Sequence, residues 1–138
     1  MIDLNALRDS LIALAGAHGV TREDMADGWN EEEGTSQWRM SYKADLNQGL
    51  RRDIQKLVGF SGVCEMARRD NDTLAMRAAL IDMRIYAMNV GSAFDALAED
   101  IRKISNLKYD EPGSLRFPDP YYFPDQYREA FPDLDLNT

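Results

Sequence analysis

Cysteine and histidine occur once each, as Cys64 and His18, in a chain of 138 residues. A single cysteine excludes an intramolecular disulfide and every CxxC-type metal or redox motif, and a single histidine excludes the usual Cys/His zinc sets. His18, beside two glycines at the end of the first apolar segment, reads as a capping or solvent-facing residue, and Cys64, between Val63 and Glu65, as a small core residue. No GxxxxGK[ST] loop and no GxGxxG occurs, so the glycine-rich phosphate cradles are missing. Proline is absent before Pro112, and alternating β-branched runs and hairpin dipeptides are absent throughout. No uninterrupted apolar run is long enough to span a bilayer. The opening "MIDLNALRDSLIALAG" has no basic n-region and is broken by Asp9. These absences predict a soluble cytoplasmic protein of a reducing compartment, with no membrane contact.

What is present is acid, and it is unevenly spread. Of the formal charge of −8, residues 110–138 carry −5, from seven acids against Arg116 and Arg128, which leaves −3 for residues 1–109. A nearly balanced body has no basic face for direct duplex nucleic acid binding. At 44% hydrophobic, the chain is long enough for one domain with a core of its own.

Apolar side chains recur at helical spacing. Leu4, Leu7, Leu11, Ile12 and Leu14 predict a helix over 3–17, capped by Asp3 and ended by Gly16 and Gly19. Residues 20–35 form a polar, acidic connector with a short helical turn after Thr21. Leu46, Leu50, Leu57 and Phe60 predict a second helix from Ser36 to about Phe60, weakened at its end by Gly59 and Gly62. A short helix over "VCEMARRDND" follows. A third long helix, capped by Asp72 or Thr73, runs to about Gly91 and restarts or continues from Ser92 through Ile104. The fold class expected is all-α: a small bundle of three to five helices over residues 1–109. All five prolines and six of the thirteen aromatics fall after residue 111, in an extended acidic arm over 110–138. Phe117, Tyr121, Tyr122, Phe123, Tyr127 and Phe131 give that arm an apolar face for its own domain, a second copy or a protein partner.

Two acids stand on apolar stripes. The helical neighbours of Asp82 are Ala78, Ala79, Ile85 and Tyr86, and those of Asp53 are Gly49, Leu50, Lys56 and Leu57. A carboxylate so placed costs several kcal/mol unless paired, hydrogen-bonded, protonated or bound to a cation. The structural expectation is an ion pair of Asp53 with Lys56 or Arg52, and of Asp82 a bridge to an arginine or a hydrogen bond to Tyr86 or Asn89. The functional expectation is that both ligate one Mg²⁺, which takes carboxylate oxygens and keeps waters and phosphates in its other positions.

The order of these pieces resembles the MazG-like all-α nucleoside triphosphate pyrophosphohydrolases. "IDLNALRDSLIALAGAHG" is similar to that family's first helix. "DLNQGLRRDIQKLVGF" resembles its ExxE helix, with Asp53 at the first acid position and Lys56 at the second. "AALIDMRIYAMNVGSAFDALAEDIRKISNLKY" resembles its ExxD helix and basic end, with Ala79 and Asp82 at the two acid positions, Ile85-Tyr86 following, and Lys103, Asn106 and Lys108 near the phosphate-contacting end. The resemblance spans most of residues 2–109. It implies a nucleotide site at Asp53, Lys56, Asp82, Lys103, Asn106 and Lys108, and a homo-oligomer. Lys56 repels Mg²⁺ and Ala79 removes an oxygen ligand, so no catalytic residue is assigned. The favoured expectation is a non-catalytic protein that binds a nucleotide or a protein partner through the old pocket. The alternatives are an assembly or inhibitor protein acting through its arm, and an active Mg²⁺-dependent pyrophosphohydrolase completed by Glu31, Glu32, Glu33 or Glu65.

Overall fold

A computed structural model of the chain describes residues 2–27, 29–30, 35–36, 38–107 and 118–136. Its elements are α1 (Leu4–Gly16), α2 (Arg22–Asp27), β1 (Trp29–Asn30), β2 (Thr35–Ser36), α3 (Leu46–Arg69), α4 (Thr73–Asn106), α5 (Asp125–Ala130) and a 3₁₀ turn at Pro132–Leu134. The fold is all-α. The only ladder among the described residues is the two-residue antiparallel pairing of Trp29 with Ser36 and Asn30 with Thr35. Glu31, Glu32, Glu33, Lys108, Pro112 and Phe117 lie outside the described residues. Residues 1–107 and 108–138 form two compact units.

In the first unit, α1 and α3 begin with the same tripeptide, and each tripeptide caps the other helix. Asp3 caps α1 by accepting from the Ala6 N–H at 3.0 Å, and Asp45 caps α3 by accepting from the Gln48 N–H at 3.0 Å. Asn47 then donates to Asp3 at 2.8 Å and accepts from the Leu4 N–H at 2.7 Å. Asn5 repeats the pattern in mirror order, donating to Asp45 at 2.9 Å and accepting from the Leu46 N–H at 2.8 Å. Two helix starts, whose first amides have no partner within their own helix, thus satisfy one another. This is why α3 starts at Leu46 and not at Ser36: the cap Asp45 fixes the boundary, and residues 38–45 are held elsewhere.

What holds residues 38–44 is a pair of opposite charges. Asp100 of α4 is fully buried, and its carboxylate accepts from the Arg39 N–H at 2.8 Å, the Met40 N–H at 2.7 Å and the Tyr42 hydroxyl at 2.7 Å. Arg8 of α1, 7% exposed, donates through Nη1 to the carbonyls of Ser41 and Ala44. The carboxylate takes donors of the segment and the guanidinium takes acceptors, so a non-helical stretch that buries Trp38 and Tyr42 keeps the backbone around them hydrogen-bonded. Around this clamp lies the core: Leu11, Ala15, Met25, Trp38, Tyr42 and Ile104. Lys103 adds its ammonium over the Trp38 ring, 5.7 Å from the centroid.

α3 and α4 form an antiparallel hairpin that extends beyond the core. α3 continues through Gly59 and Gly62 to Arg69, absorbing the segment expected as a separate short helix, and α4 is unbroken through Gly91. Each interior glycine costs about 1 kcal/mol of helix propensity, which the facing stripes offset: Phe60 stacks on Tyr86 at 5.9 Å between centroids, and the Cys64 thiol lies 3.9 Å from the Met76 carbonyl. The turn is closed by Asn71 at φ 55°, where the Asp72 N–H reaches the Ala67 carbonyl at 2.9 Å. Asparagine tolerates that left-handed conformation, and the bond satisfies the end of α3.

The second unit is short-range in character. Tyr121, Phe123 and Tyr127 pack edge to face, with centroids 5.3 Å and 6.4 Å apart, and Asp125 pairs with Arg128 along α5. Tyr122 and Phe131 are exposed.

Two outcomes follow from the clamp. Asp100→Ala leaves two backbone N–H groups and one hydroxyl unpaired in the core and should destabilise the fold by about 3–5 kcal/mol, a loss on the order of 10 °C in Tm. Far-UV circular dichroism melting checks this. Burial, the hydrogen bond to Asp100 and the Asp100 charge hold the Tyr42 phenol well above the ordinary tyrosine value of 10.0, while Arg8 acts in the opposite direction. A raised folded pKa stabilises the fold below the unfolded value. That contribution is lost as pH rises past about 10, where the unfolded phenol ionises and the folded one does not, at about 1.4 kcal/mol per pH unit. Tyr42→Phe should therefore lower stability at neutral pH by about 1 kcal/mol and flatten the alkaline loss, as read from denaturant midpoints between pH 8 and pH 12.

Candidate functional site

The mutual capping of α1 and α3, together with the clamp on residues 38–44, props α1 and the loop against the N-terminal half of α3 and the C-terminal half of α4. Between them opens a cleft of about 360 Å³, at the lower end of the range for small-molecule sites. Its walls are mostly apolar, with Leu4, Leu7, Leu50, Val90, Phe94 and Leu97 prominent among them. Gly49 forms part of the α3 wall, and a Cβ placed there meets no atom within 4 Å. The charged residues in the lining are Arg39, Asp45 and Asp53.

These three differ in what they offer a ligand. Asp45 is engaged by Asn5 and by the Gln48 N–H, and those hydrogen bonds, the Asn5 one first, hold its carboxyl below the usual carboxylate range. Asp53 has a side chain 15% exposed and accepts no hydrogen bond among the described residues, its ion contact being the Arg52 Nε at 3.8 Å. That contact is weak, since Arg52 is 69% exposed. A carboxylate in an apolar wall with its lone pairs unused is an acceptor waiting for a donor. Arg39, whose N–H is fixed by Asp100, is exposed and sits in the same lining. The cleft thus pairs an apolar interior with one acceptor and one guanidinium.

The structure brings few of the site residues expected from sequence together. Asp53 shares the cleft with Val90 and Ala93 of α4. Asp82 lies eight to eleven residues earlier on that helix, roughly 12–16 Å away along its axis at 1.5 Å per residue. The two acids therefore do not converge on one ion within the chain, and among the described residues no three Cys, His, Asp or Glu side chains group as a metal site. Asp82 is half-buried and has no hydrogen bond or ion pair among the described residues, neither to an arginine nor to Tyr86 or Asn89. Lys56 is exposed, in a shallow depression on α3 with Arg52, Phe60 and Val63. Lys103 and Asn106 lie at the far end of α4, beside the Trp38 contact and more than twenty residues from Asp82. Ala79 is buried in the hairpin interior. Lys108 and Phe117 lie outside the described residues.

Asp100 and Arg8, which organise the site, were missed by the sequence reading. The test applied to Asp82 finds Asp100 as well, since its helical neighbours are Ala96, Leu97, Lys103 and Ile104. The tripeptide "DLN", present at 3–5 and 45–47 and again at 135–137, was a second available signal.

A sequence profile described as a family of unknown function, DUF6853, matches residues 4–118. No curated protein matches the chain. Among solved structures, the chain is similar to one described as a functionally unknown protein from Neisseria meningitidis MC58. The TM-score is 0.72 and the identity 22%, covering 86% of this chain and 98% of that one. That likeness establishes the fold.

The separation of the two acids makes their substitutions independent. In the presence of Mg²⁺, the stability changes of Asp53→Asn and Asp82→Asn should add to within about 0.5 kcal/mol in the double variant. A larger coupling energy in denaturant titrations would show a shared ion after all.

Proposed function

The chain belongs to the family of unknown function DUF6853, and we propose that it is a non-catalytic binding protein that holds a nucleotide in the cleft between α1, the 39–45 loop, α3 and α4. The observation that carries this reading is Asp53: a mostly buried carboxylate with unused acceptor capacity in an apolar wall. A base inserted among Leu50, Val90, Phe94 and Leu97 replaces water on apolar surface, and its exocyclic amine or ring N–H gives Asp53 the donor it lacks. Arg39 then meets the phosphate, which the guanidinium fork binds in bidentate fashion. The resemblance to the MazG-like proteins supports a nucleotide as the ligand class. The positions that carry acids in that family hold an exposed Lys56 and a buried Ala79 here, which supports binding without turnover.

The experiment is a thermal shift panel of ribo- and deoxyribonucleosides and their mono-, di- and triphosphates, with and without Mg²⁺. A ligand at about a hundred times its dissociation constant should add roughly 2.7 kcal/mol, a shift of several degrees. Asp53→Asn, which replaces half of the acceptor with a donor, should weaken the hit about tenfold. Arg39→Ala should erase the advantage of the nucleotide over its nucleoside. Gly49→Met, which fills the cleft without touching charge, should abolish binding. No pyrophosphate release accompanies these shifts. Absence of a shift with every member of the panel, or full retention in both Asp53→Asn and Gly49→Met, removes the cleft as the site.

A second reading concerns the C-terminal unit. The exposed Tyr122, Phe131 and Leu134 flank the Tyr121–Phe123–Tyr127 cluster in a segment that also carries acids. An aromatic surface of this kind, with few side-chain rotamers to immobilise, suits a groove with basic edges on a protein partner.

A further inference from the structure

Asp53 stands one helical turn after Gly49, and both line the cleft. Positions four apart on a helix lie one above the other, and every Cα–Cβ bond tilts toward the helix N-terminus, so the Cβ of Asp53 leans back toward the turn that holds Gly49. A Cβ at position 49 would meet no atom within 4 Å, so the glycine leaves bare helix backbone with open space above it. On the α4 side of the same cleft stand Ala93 and Ala96. A carboxylate thus edges a slot between small residues of two helices, which admits a flat ring with its rim toward Asp53.

The hydrogen-bonding capacity of Asp53 dictates what that rim carries. An ionised carboxylate donates nothing and accepts through two oxygens set side by side. Two N–H groups that are likewise side by side pair with it, and a lone pair in either place is repelled. Asp45, the other acid of the lining, has spent its capacity on Asn5 and the Gln48 N–H. Asp53, its side chain 15% exposed, accepts no hydrogen bond among the described residues. Of the common bases, only guanine places two donors next to each other, N1–H and the 2-amino group. Adenine sets its amine between N1 and N7, both acceptors; cytosine offers its amine beside the acceptor N3; uracil and thymine hold one N–H between two carbonyls. Arg39 is the cation of the lining, with its backbone N–H fixed on Asp100, and a guanidinium takes a phosphate with two parallel bonds.

We infer that the cleft selects guanine nucleotides. Asp53 accepts N1–H and the 2-amino group of the base as a bidentate pair, the ring lies in the slot between Gly49 and Ala93, and Arg39 receives the phosphate. This selectivity rests on the nucleotide reading of the cleft and adds to it the identity of the base. Both oxygens of Asp53 are engaged, so taking either donor from the ligand leaves a carboxylate oxygen unpaired and shielded from water.

Titration calorimetry of the full chain with the mono- and triphosphates of guanosine, inosine, adenosine, cytidine, uridine and xanthosine tests it. Guanosine should bind tightest. Inosine, which keeps N1–H and lacks the 2-amino group, should bind about tenfold weaker, and adenosine, cytidine and uridine about a hundredfold weaker or more. Xanthosine, with a carbonyl in place of the 2-amino group, should be rejected as strongly, because that oxygen faces an oxygen of Asp53. Asp53→Asn reverses this pairing, since the carboxamide donates where the carboxylate accepted. The variant should lose guanosine by about tenfold and bind xanthosine more tightly than guanosine, whereas a purely structural role of Asp53 predicts loss of both. An adenine, cytosine or uracil nucleotide within about threefold of its guanine counterpart, inosine equal to guanosine, or an Asp53→Asn variant that folds by circular dichroism and gains no xanthosine overturns the selectivity and leaves the nucleotide reading standing. Should the variant fail to fold, the ranking of bases by the unsubstituted chain decides alone. Binding of no member of the series overturns both.

Discussion

Everything placed around the cleft depends on one buried carboxylate. Asp100 stands in the interior of a long helix, where an unpaired charge would cost more than the fold could bear. It is tolerated because two backbone amides and a hydroxyl converge on it from a single loop. The dependence is mutual. The loop has no ladder of its own for residues 38–42, so the carboxylate is what lets Trp38 and Tyr42 enter the core without stranding the amides beside them. Arg8 completes the arrangement from α1 by taking the carbonyls. A buried acid and a buried base thus act on one stretch of backbone, each binding the polarity the other cannot.

The same device positions the candidate site. Arg39 is held at the cleft by its own amide on Asp100, and Leu4 and Leu7 reach the cleft because the paired Asp-Leu-Asn starts lock α1 to α3. The cleft is therefore built on rigid supports at both ends, which lowers the ordering cost of binding. Asp53 is the one lining acid that the supports do not engage. That contrast distinguishes it from Asp45, an acid of the same cleft already committed to capping.

Away from the core the physical problem changes. Two helices side by side can bury only the stripe between them, and here the buried residues toward the turn are the alanines Ala67 and Ala79. The apolar residues left outside, Leu74, Ile81, Ile85 and Met88 among them, are exposed. Stability is consequently unequal along the first unit, with the core cluster at the α1–α2 end and a hairpin tip held by the α3–α4 stripe.

Composition and periodicity alone determined the helical class, the cap at Asp3, a cap at Asp72 or Thr73 and the concentration of proline and aromatics after residue 111. These are local properties: helix caps act within one turn, and a 3.6-residue stripe is visible in any single segment. The rule that an acid on an apolar stripe needs a partner holds at Asp100, to which it was not applied, whereas Asp82 and Asp53, to which it was, accept no hydrogen bond among the described residues. Which of three similar acids is buried depends on what packs over each, and that is decided by a loop about sixty residues away in sequence. The start of α3 differs from the expectation for the same reason, since Asp100 and Arg8 hold groups of residues 39–44 and Asp45 caps the helix behind them. The separation of Asp53 from Asp82 follows from the register of the hairpin, which the Asn71 turn and the Phe60–Tyr86 stack fix. Local spacing writes the helices; the pairing of buried charge with distant backbone, and the register of one helix on another, exist only once the chain has folded.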